Sequence, residues 1–177
     1  MSRIIATTFL ILTPVLARAD VVDSAANGFT VKTTLNIQAA PDEVYRKLIH
    51  NVGDWWNSAH TFSGDAHNLS IDEKVPGCFC EKLPNGGGVR HFELVRVNPG
   101  KAIVMTGGMG PLQSMAATGS LTIQLSAVNG STKLEANYAV TGYQAGGMNT
   151  LAAPVDGVLA EQFTRLKNYI EKGKPAP

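Results

Sequence analysis

Charge is scarce in this chain. Only 16% of its residues are charged, 15 Lys and Arg face 14 Asp and Glu, and the formal net charge is +1. No block of like charge occurs, so the chain lacks the electrostatic footprint that nucleic acid or an anionic membrane would require. Cysteine is nearly missing as well. Cys78 and Cys80 are the only two, and with His91 across the hairpin as the one further ligand nearby they fall short of the four that a structural zinc site takes. The sequence has no Gly-x-Ser-x-Gly elbow, which excludes a hydrolase of that type. Its glycine clusters, "NGGG" (85–88) and "GGMGP" (107–111), are not phosphate cradles. The first has no helix after it, and the second lacks the lysine and hydroxyl of a P-loop. Repeats and low-complexity segments are absent too.

What the chain does carry begins at the N-terminus. Arg3 supplies a short positive region, residues 4–17 are largely apolar, and Ala17-Arg18-Ala19 is an A-x-A cleavage signature. That is the layout of a secretory signal peptide, interrupted by Thr7, Thr8, Thr13 and Pro14 and too short for a comfortable transmembrane span. No cysteine follows it to take a lipid, and no twin arginine precedes it. The sequence therefore predicts a signal peptide over 1–19 and a single exported domain over 20–177, periplasmic or secreted, with no stable membrane insertion after cleavage. Without Arg3 and Arg18 the formal charge falls from +1 to about −1, because every acid lies beyond Ala19. A domain of this size buries roughly 70% of its unfolded surface and holds a core without staples.

Alternation marks the strands. Phe29, Val31, Thr33, Leu35 and Ile37 share one face of a first strand. Ala40-Pro41-Asp42-Glu43 then opens a helix, proline and acids suiting a first turn, with Val44 and Leu48 as its inward pair. Gly53 breaks that helix, and "DWWNSAHTFSG" continues as a short helical or irregular segment. Residues 68–73 form a weak strand. Turn signals at 84–88, 98–100 and 128–131 then separate strands over 78–83, 89–97, 101–106, 118–125 and 132–143. In the last of these Leu134, Ala136, Tyr138 and Val140 face inward, and Lys133, Glu135 and Asn137 outward. A long helix closes the chain over 149–172, with Val155, Leu159, Gln162, Phe163, Leu166 and Ile170 on its inner stripe. Pro154 and Gly157 predict a kinked or delayed start. The order is α+β, with the sheet burying its inner face on the last helix.

Three stretches carry a family resemblance. "IQAAPDEVYRKLIHNVGDWW" is similar to an opening strand followed by A-x-P-x-x-V and a tryptophan-bearing second helix. "HFELVRVNPGKAIVMTGGMGPLQ" resembles an E-V-x-x-V-x-P turn, and "TRLKNYIEKG" a terminal helix. Together they resemble the START-like (SRPBCC) helix-grip superfamily, which includes the polyketide cyclase/dehydrase group and homologues of the activator of the heat-shock chaperone ATPase. The resemblance spans nearly all of residues 20–177. It implies a curved antiparallel sheet of about six to seven strands wrapped around the C-terminal helix, two short helices after the first strand, and a cavity between sheet and helix. Members hold lipids, polyketides, hormones or other apolar molecules there, and some catalyse cyclisation or dehydration. Export to a space without ATP or the cytosolic chaperone sets this chain apart from the chaperone-activating members.

Candidate site residues follow from these two readings. Trp55 and Trp56, adjacent on a helix, point about 100° apart, so one can face a cavity while the other covers its rim. With Tyr138, Leu159, Phe163 and His91 they form the expected lining. His60, His67 and His91 are candidate bases, and Glu81 and Glu93 candidate acids. In residues 89–97 the odd set would bring His91 and Glu93 inward, the even set Arg90 and Arg96, and a one-residue bulge would mix the two. Cys78 and Cys80 fall on one strand face about 6.7 Å apart at Cα, the far limit for a bridge. Export pushes toward a disulfide, copper(I) is a further option, and packed thiols are the favoured reading by a narrow margin. The expectation is a protein that binds a small apolar or amphipathic molecule, without metal or cofactor. A cyclase or dehydratase using His91 and Glu93 in the same cavity is the alternative.

Overall fold

The computed structural model describes residues 18–176. All but the last two residues of the signal peptide expected over 1–19 lie outside the described residues. Eight strands form one antiparallel sheet: β1 (Arg18–Ala25), β2 (Gly28–Ile37), β3 (Leu69–Ile71), β4 (Gly77–Lys82), β5 (Gly88–Asn98), β6 (Ala102–Gly107), β7 (Ala116–Val128) and β8 (Ser131–Tyr143), in the order β1-β2-β8-β7-β6-β5-β4-β3. Two helices, α1 (Pro41–His50) and α2 (Val52–Trp55), separate β2 from β3, and α3 (Ala152–Lys172) closes the chain against β2 and β1.

The sheet has one strand more than the upper expectation. The additional strand is β1, which pairs with β2 through a tight Ala26-Asn27 turn. Its residues are exposed from Asp20 to Ala25, and Val22 is bulged out of register. An edge strand with no buried face shows no alternation, so only the Asn27-Gly28 turn signal announces it. Gly53 lies inside α2 rather than ending a helix. A Cβ there would sit 3.0 Å from the backbone of Ala66 and His67, so glycine permits a close approach of the 66–68 turn.

Elsewhere the alternation is clean. The face of β8 carrying Leu134, Ala136, Tyr138 and Val140 is buried, and so is that of β2 carrying Phe29, Val31, Leu35 and Ile37. Leu159, Phe163 and Leu166 of α3 complete the core, each side chain of this kind contributing about 1.5–3 kcal/mol on full burial. The start of α3 is delayed as Pro154 and Gly157 suggest. A 3-10 turn over Met148–Leu151 precedes it, and the Ala152 N–H donates to the Asn149 carbonyl.

β5 breaks the alternation twice. Phe79 pairs with Phe92 and Cys80 with Arg90, leaving His91 as an extra, unpaired residue. Leu94 pairs with Met105 and Arg96 with Val104, leaving Val95 out. The first bulge turns His91 and Phe92 to the same inner face, and both are buried.

Candidate functional site

A cavity of about 370 Å³ opens between the first turns of α3 and the sheet. Trp56, Leu112 and Tyr138 form its buried floor. Its walls come from three segments: residues 59–62, residues 109–115, and Leu151, Pro154, Val155 and Val158 at the start of α3. The volume falls at the lower end of the range of small-molecule sites.

Polar atoms around the floor are already satisfied. The Trp56 indole N–H donates to the His60 carbonyl at 3.1 Å, which fixes the 57–60 turn beneath the ring. The Tyr138 hydroxyl donates to the Gly107 carbonyl at 3.0 Å and accepts from the Met109 N–H at 3.4 Å, anchoring the 107–115 wall to β8. Burial pushes the Tyr138 phenol up to about 12, against the smaller opposing effect of the Met109 N–H. An occupant of the floor therefore meets carbon.

Two of these walls, residues 59–62 and 109–115, are tied to a buried acid–base pair on the sheet. Glu81 of β4 points inward with its side chain 0% exposed, and its carboxylate accepts from the backbone N–H groups of Phe62 and Ser63. It also meets His91 Nε2 at 3.0 Å. Burial lowers the affinity of His91 for a proton more than Glu81 raises it. Burial pushes the Glu81 carboxyl up, but hydrogen bonds from Ser63, Phe62 and His91 outweigh it and hold the group below its ordinary value. Both shifts describe one state, a carboxylate accepting from a neutral imidazole. With Nε2 as donor, Nδ1 is the acceptor, facing the Gln113 amide at 3.4 Å. Gln113 also donates to the Arg90 carbonyl at 3.0 Å. Phe62 stacks on the His91 ring, 6.0 Å between centroids, and lines the cavity with its other side.

The expected lining residues separate into two groups. Trp56 and Tyr138 line the cavity, whereas Trp55, Leu159 and Phe163 border a neighbouring void of about 20 Å³, room for about one water. Trp55 is locked there by its indole N–H on the Lys47 carbonyl at 3.2 Å. His91 lies behind Phe62 and Phe79, outside the lining. Glu93 turns to the outer face and pairs with Arg90 at 3.0 Å, so His91 and Glu93 do not form a pair. His60 reaches the cavity mouth beside Glu161, while His67 sits apart on Asp65 and Asp54. Among the described residues no cluster of three or more His, Cys, Asp or Glu could hold a metal ion.

Two features are only partly legible in the sequence. Gln162, assigned to the inner stripe of α3, is fully buried and accepts from the Asn57 N–H at 2.8 Å, docking the 57–60 turn onto the helix. A glutamine among apolar stripe positions was the signal. Cys78 and Cys80, expected as packed thiols with a bridge as the alternative, are joined in a disulfide with a Cα–Cα separation of 5.4 Å. That is shorter than the ideal strand spacing of about 6.7 Å, so β4 is locally contracted at Phe79. Both face away from the cavity, since Gly77, Phe79 and Glu81 between and beside them are the buried positions.

No protein family's sequence profile matches this chain, and no curated protein is significantly similar to it. Solved structures are similar in fold. A conserved protein of unknown function from Enterococcus faecalis, EF2215, matches with a TM-score of 0.63 at 16% identity, covering 91% of this chain and 80% of that one. CalU16 from Micromonospora echinospora matches at 0.58 and 12%, covering 88% of each chain. The Aha1 dimer from Colwellia psychrerythraea matches at 0.56 and 18%, covering 82% of this chain and 98% of that one. At such identities the likeness carries the fold and nothing finer. The eight-stranded sheet closed on a long C-terminal helix is the helix-grip fold that the sequence resemblance implies.

Proposed function

We propose that this chain is an exported protein that binds a small apolar or amphipathic molecule between the start of α3 and the sheet. The observation that carries the reading is the cavity of about 370 Å³ whose aromatic floor has no polar atom left to pair. An apolar occupant gains burial there at roughly 25 cal/mol per Å² and displaces no hydrogen bond. Export is supported by the signal-like layout of residues 3–19 and by the Cys78–Cys80 bridge, because disulfides persist in oxidising compartments. Cleavage after Ala19 leaves β1 paired with β2 from Asp20 onward.

The cyclase or dehydratase alternative needs an acid and a base within reach of the occupant. Its original pair is divided between the two sheet faces, and the His91 ring is committed to Glu81 and covered by Phe62. Binding is therefore the better supported reading.

The experiment is a titration of the purified protein with a neutral fluorophore, N-phenyl-1-naphthylamine, read by its emission and by Trp56 quenching. Val158→Phe places a ring into the cavity from its α3 wall and should abolish the signal while leaving the fold intact. A wild-type protein that gives no signal, or a Val158→Phe protein that binds undiminished, would falsify the assignment. N-terminal sequencing of protein recovered from its host should begin at Asp20, and a start at Met1 would remove the export half.

A further inference from the structure

The cavity mouth is chemically one-sided. Its exposed ring is formed by Ala59, His60, Phe62, Pro111 and Pro154. Among the described residues no lysine or arginine lines the cavity, and His60 and Tyr138 are the only ionisable ones that do. His60 Nε2 lies 3.1 Å from Glu161. Burial resists ionisation of Glu161, but hydrogen bonds from Asn57 and His60, with the charges of His60 and Arg165, prevail and hold it below its ordinary value. A carboxylate therefore stands beside the mouth, next to His60.

Arg165, whose charge already helps hold Glu161 ionised, does not itself line the cavity. The Arg165 Nε–H is taken by the Trp55 carbonyl at 2.9 Å. The 3-10 turn over Met148–Leu151 runs straight into α3, the Ala152 N–H serves Asn149, and Pro154 has no N–H to offer. What remains is a set of acceptors. In the neutral tautomer that donates from Nε2 to Glu161, His60 Nδ1 presents a lone pair. Thr61 Oγ1, which donates to the Ser58 carbonyl at 2.7 Å, keeps its own lone pairs.

We propose that this mouth selects uncharged amphiphiles whose polar end donates a hydrogen bond, alcohols or phenols on a compact apolar body, and rejects the matching carboxylates, with His60 and Glu161 as the specificity-determining pair. The inference rests on the apolar-ligand reading above. A carboxylate at this mouth comes near Glu161 with no Lys or Arg in the described lining to receive it, and sets acceptors against acceptors. A hydroxyl in the same place finds acceptors already oriented. The selectivity thus arises as much from what the mouth repels as from what it holds.

The test displaces bound N-phenyl-1-naphthylamine from the purified protein near neutral pH with three compounds of one chain length: decanol, methyl decanoate and decanoate. Decanol should displace the probe at a concentration at least about tenfold lower than decanoate, with the ester, which cannot donate, in between. Glu161→Gln should bring decanoate to within about threefold of decanol, and the wild-type series stands alone if that variant folds poorly. Decanoate equal to decanol in the wild type overturns the proposal, and an ester equal to decanol overturns its donor requirement. Decanoate still excluded in a folded Glu161→Gln protein overturns the role of that carboxylate. A wild type that never binds the neutral probe instead removes the cavity reading itself, and this inference with it.

Discussion

Glu81 and His91 meet at 3.0 Å on the inner face of the sheet, their side chains 0% and 5% exposed, on neighbouring strands whose register is offset by the residue His91 itself occupies. Because the carboxylate accepts three donors, two of them from the 61–63 wall, the pair works as a clamp on the cavity mouth. Glu81→Gln keeps the volume but offers one oxygen where two were in use, turning an amide N–H toward a donor. The variant should lose about 2–4 kcal/mol in urea unfolding, the cost of one or two buried donors left bare. Probe binding should weaken with it, as the wall comes away from the sheet. An unchanged midpoint would show that the clamp carries no stability.

The same pair sets a pH dependence. Burial holds the folded His91 below its ordinary 6.5, so between the folded value and 6.5 the unfolded chain binds more protons than the folded one. Stability therefore rises with pH across that window and falls as pH drops below 6.5. Glu81, held below 4.5, adds a second loss as pH falls through its own folded value. In His91→Gln the amide can still donate to Glu81 but does not titrate. Its stability should lie flatter than wild type just below pH 6.5 in urea melts taken across that range. Identical slopes in the two proteins would mean that His91 is not held neutral by burial.

The pair also marks the limit of what the sequence discloses. The face of β8 is legible because alternation is a property of consecutive residues, and Leu134, Ala136, Tyr138 and Val140 obey it. A bulge changes the phase of alternation without changing composition, so both phases of residues 89–97 read equally well until the partner strand is known. His91 and Glu81 are ten residues apart, and their meeting depends on that one-residue offset. The cavity is harder still. Leu159 and Phe163 match an inward helical stripe, yet the open volume lies one to two turns earlier, at Leu151, Pro154, Val155 and Val158, where the 3-10 entry and Pro154 set the start of α3. Trp55 and Trp56 diverge because α2 ends between them, Trp56 being already extended.

Phe62 covers His91 on one side and forms the mouth on the other, while 55% of it stays exposed. Phe62→Ala should lower stability by no more than about 1 kcal/mol, as expected for a largely exposed position. It should weaken apolar probe binding clearly, since a wall of the mouth is lost. Water reaching the imidazole should also raise the His91 pKa toward its ordinary value, because burial is the chief cause of its depression. An NMR titration of the ring protons reads this directly. Unaltered binding with an unaltered titration would mean that Phe62 neither walls the cavity nor shields the pair.

The Cys78–Cys80 bridge lies on the outer face, one residue before Glu81, and brackets Phe79, whose ring packs on Trp56 and His91. It closes so short a loop that the chain-entropy model assigns it only about 1.6 kcal/mol. Reduction, or Cys78→Ser with Cys80→Ser, should therefore leave a folded protein, its stability lower by about that amount or less. The larger effect belongs to position. Relaxation of the 5.4 Å Cα–Cα separation toward the ideal spacing of about 6.7 Å lengthens β4 immediately before Glu81 and disturbs the register that seats His91 inside. Probe affinity should consequently fall on reduction by more than the loss of global stability explains. The check is one preparation titrated before and after a mild reductant, with thermal melts on both samples. Equal affinity in the two states would confine the bridge to the outer face and separate it from the site.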